Sequence, residues 1–239
     1  KPIGTSVKDT WVLAMLHDGL ALKSAGADKV TKALTKQGQS YNDPDFVKAA
    51  NCIKELVDMG AFIDGATGLS NDEASASFYA EQVPMYFTGS WMGGSIVTDA
   101  EKPDNFAVAP IPVVNSKNAS VTDFMGGGSD TLMVSANTKN KDLAAAAAFE
   151  ITRGVSKHAY LSGAGIPAWT VDYDASSVPA LTQQVADIAG KATSYTLWFD
   201  TLMSSDDAGE YLTLLQSLFA GDLKPEEFAA SMDKQLSNT

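Results

Sequence analysis

A chain of 239 residues with 45% hydrophobic content is long enough for one large domain or two small ones, each with a real core. Its net charge of −12, with Arg153 the only arginine, excludes a nucleic-acid binder, which needs clustered Lys and Arg. A single cysteine, Cys52, excludes an intrachain disulfide and reads as a small buried hydrophobe; His17 and His158 are too far apart for zinc-ligand spacing, so neither metal nor cofactor is expected.

The chain opens on Lys1-Pro2-Ile3-Gly4 without a charged-then-apolar leader, and an upstream targeting segment is expected outside it. No apolar run approaches the roughly 20 residues of a membrane span. Asp9 or Thr10 is a fair N-cap for an apolar helix carrying Trp11, Leu13, Leu16 and Leu20. A loop containing Gly26 and Gly38 then leads to Asp43-Pro44, cap and first residue of a helix whose Phe46, Ala50, Ile53 and Val57 recur at helical spacing until Gly60. Ser70-Asn71-Asp72-Glu73 is a capping box that opens a helix to about Glu81.

A short strand over Val83 to Phe87 runs into a Gly/Ser turn bearing Trp91, followed by a strand over Phe106 to Ile111. With Gly89, Gly93 and Gly94 around it, Trp91 is either a core residue or a ring held out as a stacking surface. A polar loop over 115–122 leads to Gly126-Gly127-Gly128 and a strand from Thr131 to Ser135. Helices are expected over 142–152 and 157–162, 176–191, 207–219 and 225–236, with a Gly-rich turn ending in Trp169 between the second and third. Interleaved strands and helices, the latter dominant, point to an α/β architecture.

Nucleophile-elbow, zincin and Walker motifs are absent, and the glycine clusters do not fit a dinucleotide fingerprint. No carboxylate pair is singled out by an apolar setting, although twenty-nine acids leave a glycosidase pair open. Asn118-Ala119-Ser120 fits a glycosylation sequon, relevant in a eukaryotic secreted context. Trp11, Trp91, Trp169 and Trp198 all fall at helix starts or on loops, which suggests a stacking site for sugar rings. Asp9, Asp130, Asp200 and the 126–129 backbone are available for sugar hydroxyls. The competing reading makes two or more of these indoles core or rim residues.

Read in order, FYAEQVPMYFTGSW, NFAVAPIP, the glycine-rich segment with TLMVSANTKNKDLAAAAAFE, GIPAW and FAGDLKPEEFAASMDKQL resemble successive passages of the solute-binding proteins of ABC importers, of the maltose-binding-protein type. The resemblance implies the carboxy-terminal portion of a periplasmic-binding-protein-like, type II α/β fold. Residues 1–104 and 165–239 would form a helix-rich second lobe, and 105–164 would return to the first lobe, with hinge crossings at Phe106–Ala109 and Leu161–Gly165. It implies further that most of the amino-terminal lobe lies outside the chain. The function implied is extracellular or periplasmic capture of a small solute, a mono- or oligosaccharide, for delivery to permease subunits, the protein being lipid-anchored or free and not an enzyme. Trp91 and Trp198 match the family's aromatic positions and Gly127 its cleft-lining glycine segment, while Asp9, Trp11 and Trp169 fall near the cleft. The alternatives are a carbohydrate-active enzyme using two carboxylates, and an interaction module whose indoles serve a protein surface.

Overall fold

In the computed structural model, residues 1–128 and 131–238 are described. In chain order the elements are β1 (Ile3–Gly4), α1 (Thr10–Ala25), α2 (Ala27–Leu34), α3 (Pro44–Asp58), α4 (Asn71–Tyr79), β2 (Met85–Tyr86), α5 (Met92–Asp99), β3 (Asp123–Met125), α6 (Lys141–Leu161), α7 (Ala180–Ala189), β4 (Ser194–Thr196), α8 (Phe199–Leu202), α9 (Ser205–Ala220) and α10 (Pro225–Asn238). Among the described residues the strands form two parallel ladders, Ile3 opposite Met85 and Phe124 opposite Tyr195 marking the registers, and Ile3 also bridges Phe62. The chain forms two compact units, one of residues 1–88, 110–127 and 192–239, the other of 89–109 and 128–191.

The core of the first unit surrounds α1. Every residue of this helix except Trp11 is buried, because α3, α9 and α2 pack on its flanks. Tyr41 stacks on Phe46 with ring centroids 4.2 Å apart, and Phe199, Tyr211 and Phe228 complete an aromatic cluster around His17. The caps follow their sequence signals: Asp43 accepts the Asp45 N–H with Pro44 at the first helical position, and Ser70 and Glu73 form the reciprocal capping box of α4.

The second unit is built differently. Its buried apolar residues are few, chiefly Met92, Ile96, Val178 and Leu181. Close backbone approach substitutes for side-chain burial here: a Cβ on Gly93 would lie 2.5 Å from the Gly163 carbonyl oxygen, and one on Gly94 3.1 Å from Ala164 Cβ. Gly163, at φ +85°, ends α6, and the Ala164 N–H returns to the Ala159 carbonyl.

Several local expectations are corrected. The loop expected after Gly26 holds α2, whose Val30, Ala33 and Leu34 are buried; two turns are too short for a clear periodic signal. Trp91 leads not into a plain turn but into α5, a helix masked in sequence by Gly93 and Gly94. The helices expected over 142–152 and 157–162 are one, α6, because Gly154 is tolerated in its interior. Residues 106–111 and 131–135 are not strands: Pro110 removes a ladder donor from the first, and neither has a ladder partner among the described residues. Cys52 is half-buried at the margin of the core.

Candidate functional site

The start of α1 carries an exposed indole, and the carboxylate just ahead of the helix is tied to α4. The Asp9 carboxylate does not cap its own helix. It accepts the Asn71 N–H at 2.6 Å, at the first residue of α4, while its own N–H donates to Ser6 Oγ. Asn71 Oδ1 in turn accepts the Tyr86 hydroxyl at 3.0 Å, and Tyr86 lies where only glycine fits opposite, since a Cβ on Gly4 would sit 2.7 Å from its ring. Burial, then the neighbouring Tyr79, Asp9 and Asp72, push the Tyr86 phenol well above its ordinary pKa, so it stays a neutral donor. Trp11, the second residue of α1, is 43% exposed.

Two buried ionisable residues of α1 hold further loops of the same unit. Lys23, with no exposed surface, donates to the Ser120 carbonyl at 2.8 Å, to that of Val121 at 3.1 Å and to that of Asp123, with its ammonium 5.2 Å from the Phe124 ring centroid. It thereby ties the segment entering β3, beyond which Gly126 and Gly127 take positive φ; a Cβ on Gly127 would lie 3.0 Å from Tyr195 Cβ. Asp18 accepts the Tyr211 hydroxyl at 2.6 Å and the Phe199 N–H at 3.2 Å, and the Tyr211 oxygen meets His17 Nδ1 at 2.8 Å. Burial raises the Asp18 pKa to about 8, against the two hydrogen bonds and with help from Asp200, and burial lowers that of His17 to about 3. Trp198, half-buried, and Asp200, exposed, flank the pinned Phe199.

In the second unit, Trp91 is the N-cap residue of α5 and 47% exposed. Its ring folds back over Gly89, where a Cβ would fall 2.0 Å from Trp91 Cζ3. Trp169 is 37% exposed and meets Phe149 of α6 edge-to-face at 5.0 Å; Ser156 Oγ of the same helix accepts the Ala168 N–H.

Of the residues singled out by sequence, Asp9 and Trp11 thus share one end of α1, Trp198 and Asp200 share α8, and Gly127 lies against Tyr195 of β4. Trp91 and Trp169 belong to the second unit, and Asp130 lies outside the described residues. Sequence reasoning did not single out Asn71, Tyr86, Asp18 or Lys23. A signal for Asp18 was present, because His17-Asp18 interrupts an otherwise apolar helix. Asn118, read as a sequon, donates to the Ser24 carbonyl and to Asp45 and so serves packing. Among the described residues no three His, Cys, Asp or Glu side chains gather as a metal site requires, and no helix is long and apolar enough to cross a membrane.

Residues 1–149 match the model of the bacterial extracellular solute-binding protein family. The chain belongs to that family. The chain is similar to a structure from work on xylan utilization by the thermophilic bacterium Caldanaerobius polysaccharolyticus, at 32% identity and a TM-score of 0.93 over 98% of this chain and 60% of that one. It shares its fold with a chitin oligosaccharide binding protein (22% identity, TM-score 0.87, 99% and 60% covered). It also shares its fold with a Bacillus licheniformis sugar transporter in complex with stachyose (17%, 0.75, 99% and 60%). The chain therefore spans about 60% of the length of these relatives. No curated protein sequence matches it. The family is one of binding proteins rather than enzymes, and the fold is the helix-rich part of a type II periplasmic-binding-protein-like α/β architecture.

Proposed function

We propose that the chain binds an oligosaccharide for uptake by an ABC importer, with sugar rings stacking on Trp11 and Trp198 of the first unit. Asp9, Asp200 and the Gly127 backbone of that unit are assigned to sugar hydroxyls, and Trp91 and Trp169 are separate candidate stacking rings of the second unit. The observation that carries this reading is Trp11, the one residue of α1 left to solvent and also the largest. An apolar ring kept out of a helix's own core, at the same helix end as the Asp9 carboxylate, offers a sugar both its apolar and its polar requirements. The names of the relatives, which concern xylan, chitin oligosaccharide and stachyose, support the ligand class.

The test is a panel of xylotriose, chitotriose, raffinose and stachyose followed by tryptophan emission and calorimetry. One class should bind, and Trp11→Ala should weaken it by about 1–3 kcal/mol, roughly 5- to 150-fold. Unchanged affinity in that variant would remove Trp11 from the site.

The finer parts of the reading reach beyond the chain. Delivery to membrane permease subunits, hinge crossings at Phe106–Ala109 and Leu161–Gly165, and a lipid anchor or free periplasmic state are proposals for the full-length protein. So is the contribution of a first lobe. Leu143, Ile151 and Val155 of α6 face solvent at helical spacing, and that lobe would cover them. Sedimentation should then show self-association of this chain and a monomer for the full-length protein.

A further inference from the structure

The buried Asp18 carboxyl links three elements of the first unit, α1, α8 and α9. Asp18 is 3% exposed, yet its two oxygens are committed in opposite directions, one to Tyr211 of α9 and the other to the Phe199 N–H that opens α8. Phe199 is fully buried between Tyr41, His17 and Tyr211. A four-residue helix has little stability of its own. The direction of the turn Trp198–Asp200 is therefore set by the Phe199 ring in its box and by the single hydrogen bond that Asp18 makes to its backbone.

Resting on the sugar reading above, we propose that Asp18 is a positioning residue of the site: from within the core it fixes the Phe199 backbone and so the attitude of the Trp198 ring and the Asp200 carboxylate. Asp18 touches no ligand in this role. It acts through one peptide group, and the strength of that contact depends on its charge, because an ionised carboxylate is the stronger acceptor for an N–H at a helix start. The titratable groups facing it are His17 on its own helix, Tyr41 ahead of α3, Asp200 on α8 and Tyr211 on α9. Of these, His17 is held down to about 3 by burial. The two phenols are pushed well above their ordinary value by burial, and Asp18 is the group that titrates near pH 8.

The experiment uses the whole chain labelled with 5-fluorotryptophan, the Trp198 fluorine line being assigned with Trp198→Phe. In the wild type that line should move between pH 6.5 and 9.5 with a midpoint near 8. Asp18→Asn, nearly isosteric and still an acceptor for Phe199, should leave the line in place and abolish the movement. Asp18→Leu should displace the line at every pH and weaken xylotriose binding roughly tenfold, the worth of one hydrogen bond. A flat wild-type line, or an Asp18→Asn line that still titrates, overturns the proposal. If the wild type binds no xylotriose or any other panel sugar, the sugar reading fails, and the fluorine line still decides the role of Asp18.

Discussion

The pair His17 and Asp18 gives the first unit a stability profile that can be worked out from two shifted groups. Asp18 binds its proton up to about pH 8 in the folded state and to 3.8 in an unfolded chain; His17 binds one below about 3 when folded and below 6.5 when unfolded. Between roughly pH 4 and 6.5 each state holds one proton on the pair, folded on Asp18 and unfolded on His17, so their contributions to the slope cancel. Between 6.5 and 8 only the folded state holds a proton, and stability falls with rising pH by about 1.4 kcal/mol per unit, about 2 kcal/mol in all. Above 8 the pair adds no further slope. Asp18→Asn removes the alkaline fall and exposes the His17 term: its stability should rise with pH from 4 to 6.5, then level. Urea unfolding followed by far-UV circular dichroism at pH 4.5, 5.5, 6.5, 7.5 and 8.5 in both proteins gives the difference directly, with all other titrations common to the two. A wild-type-minus-variant difference that does not change with pH would refute the reasoning.

Lys23→Met leaves the Ser120, Val121 and Asp123 carbonyls without their ammonium and should cost about 3–5 kcal/mol, the scale of a broken buried charge network, with amide exchange rising first over 120–125. Thermal melting and exchange mass spectrometry check both parts. Gly26→Ala forces a side chain into φ +84° with its Cβ 2.5 Å from the Asn118 carbonyl oxygen, and should lose about 2 kcal/mol in urea unfolding. Gly89→Ala, where a Cβ would overlap the Trp91 ring, should shift the Trp91 emission while leaving the melting of the first unit unchanged.

Much of the helical framework was legible because its signals are local. Asp43-Pro44 and the Ser70–Glu73 box are short-range chemistry, and both are formed as the spacing predicts. What escaped were features set by partners distant in sequence. α5 is a helix because Gly93 and Gly94 lie against Gly163 and Ala164, some seventy residues on. Asp9 looked like a cap for its own helix and instead holds Asn71 of α4. The four indoles do lie at helix starts or on a loop, since aromatic residues outside a periodic stripe are visible in sequence, but their sharing between two units is a property of the chain path alone.

α1 shows why the site supports in particular could not be read by periodicity. A helix that is apolar on one face announces its orientation, whereas α1 is buried on every side and has no polar stripe to mark which residue points where. In such a helix each polar or exposed residue stands out; most of the polar ones have a partner, while the Ser24 hydroxyl and His17 Nε2 are buried without one among the described residues. Lys23 has three carbonyls, Asp18 has Tyr211 and the Phe199 backbone, and His17 has Tyr211. Trp11 is the apolar exception, a ring outside an otherwise complete core. Burying it would gain about 2–3 kcal/mol of transfer free energy. If its exposure were incidental, filling its place with a charged residue would disturb only solubility. Trp11→Lys should therefore leave unfolding of the first unit within about 0.5 kcal/mol of the wild type, as for an ordinary surface change, while abolishing the emission change on sugar addition. Loss of both together, with unfolding moved by several kcal/mol, would make Trp11 a packing residue and return the choice of stacking surface to Trp198.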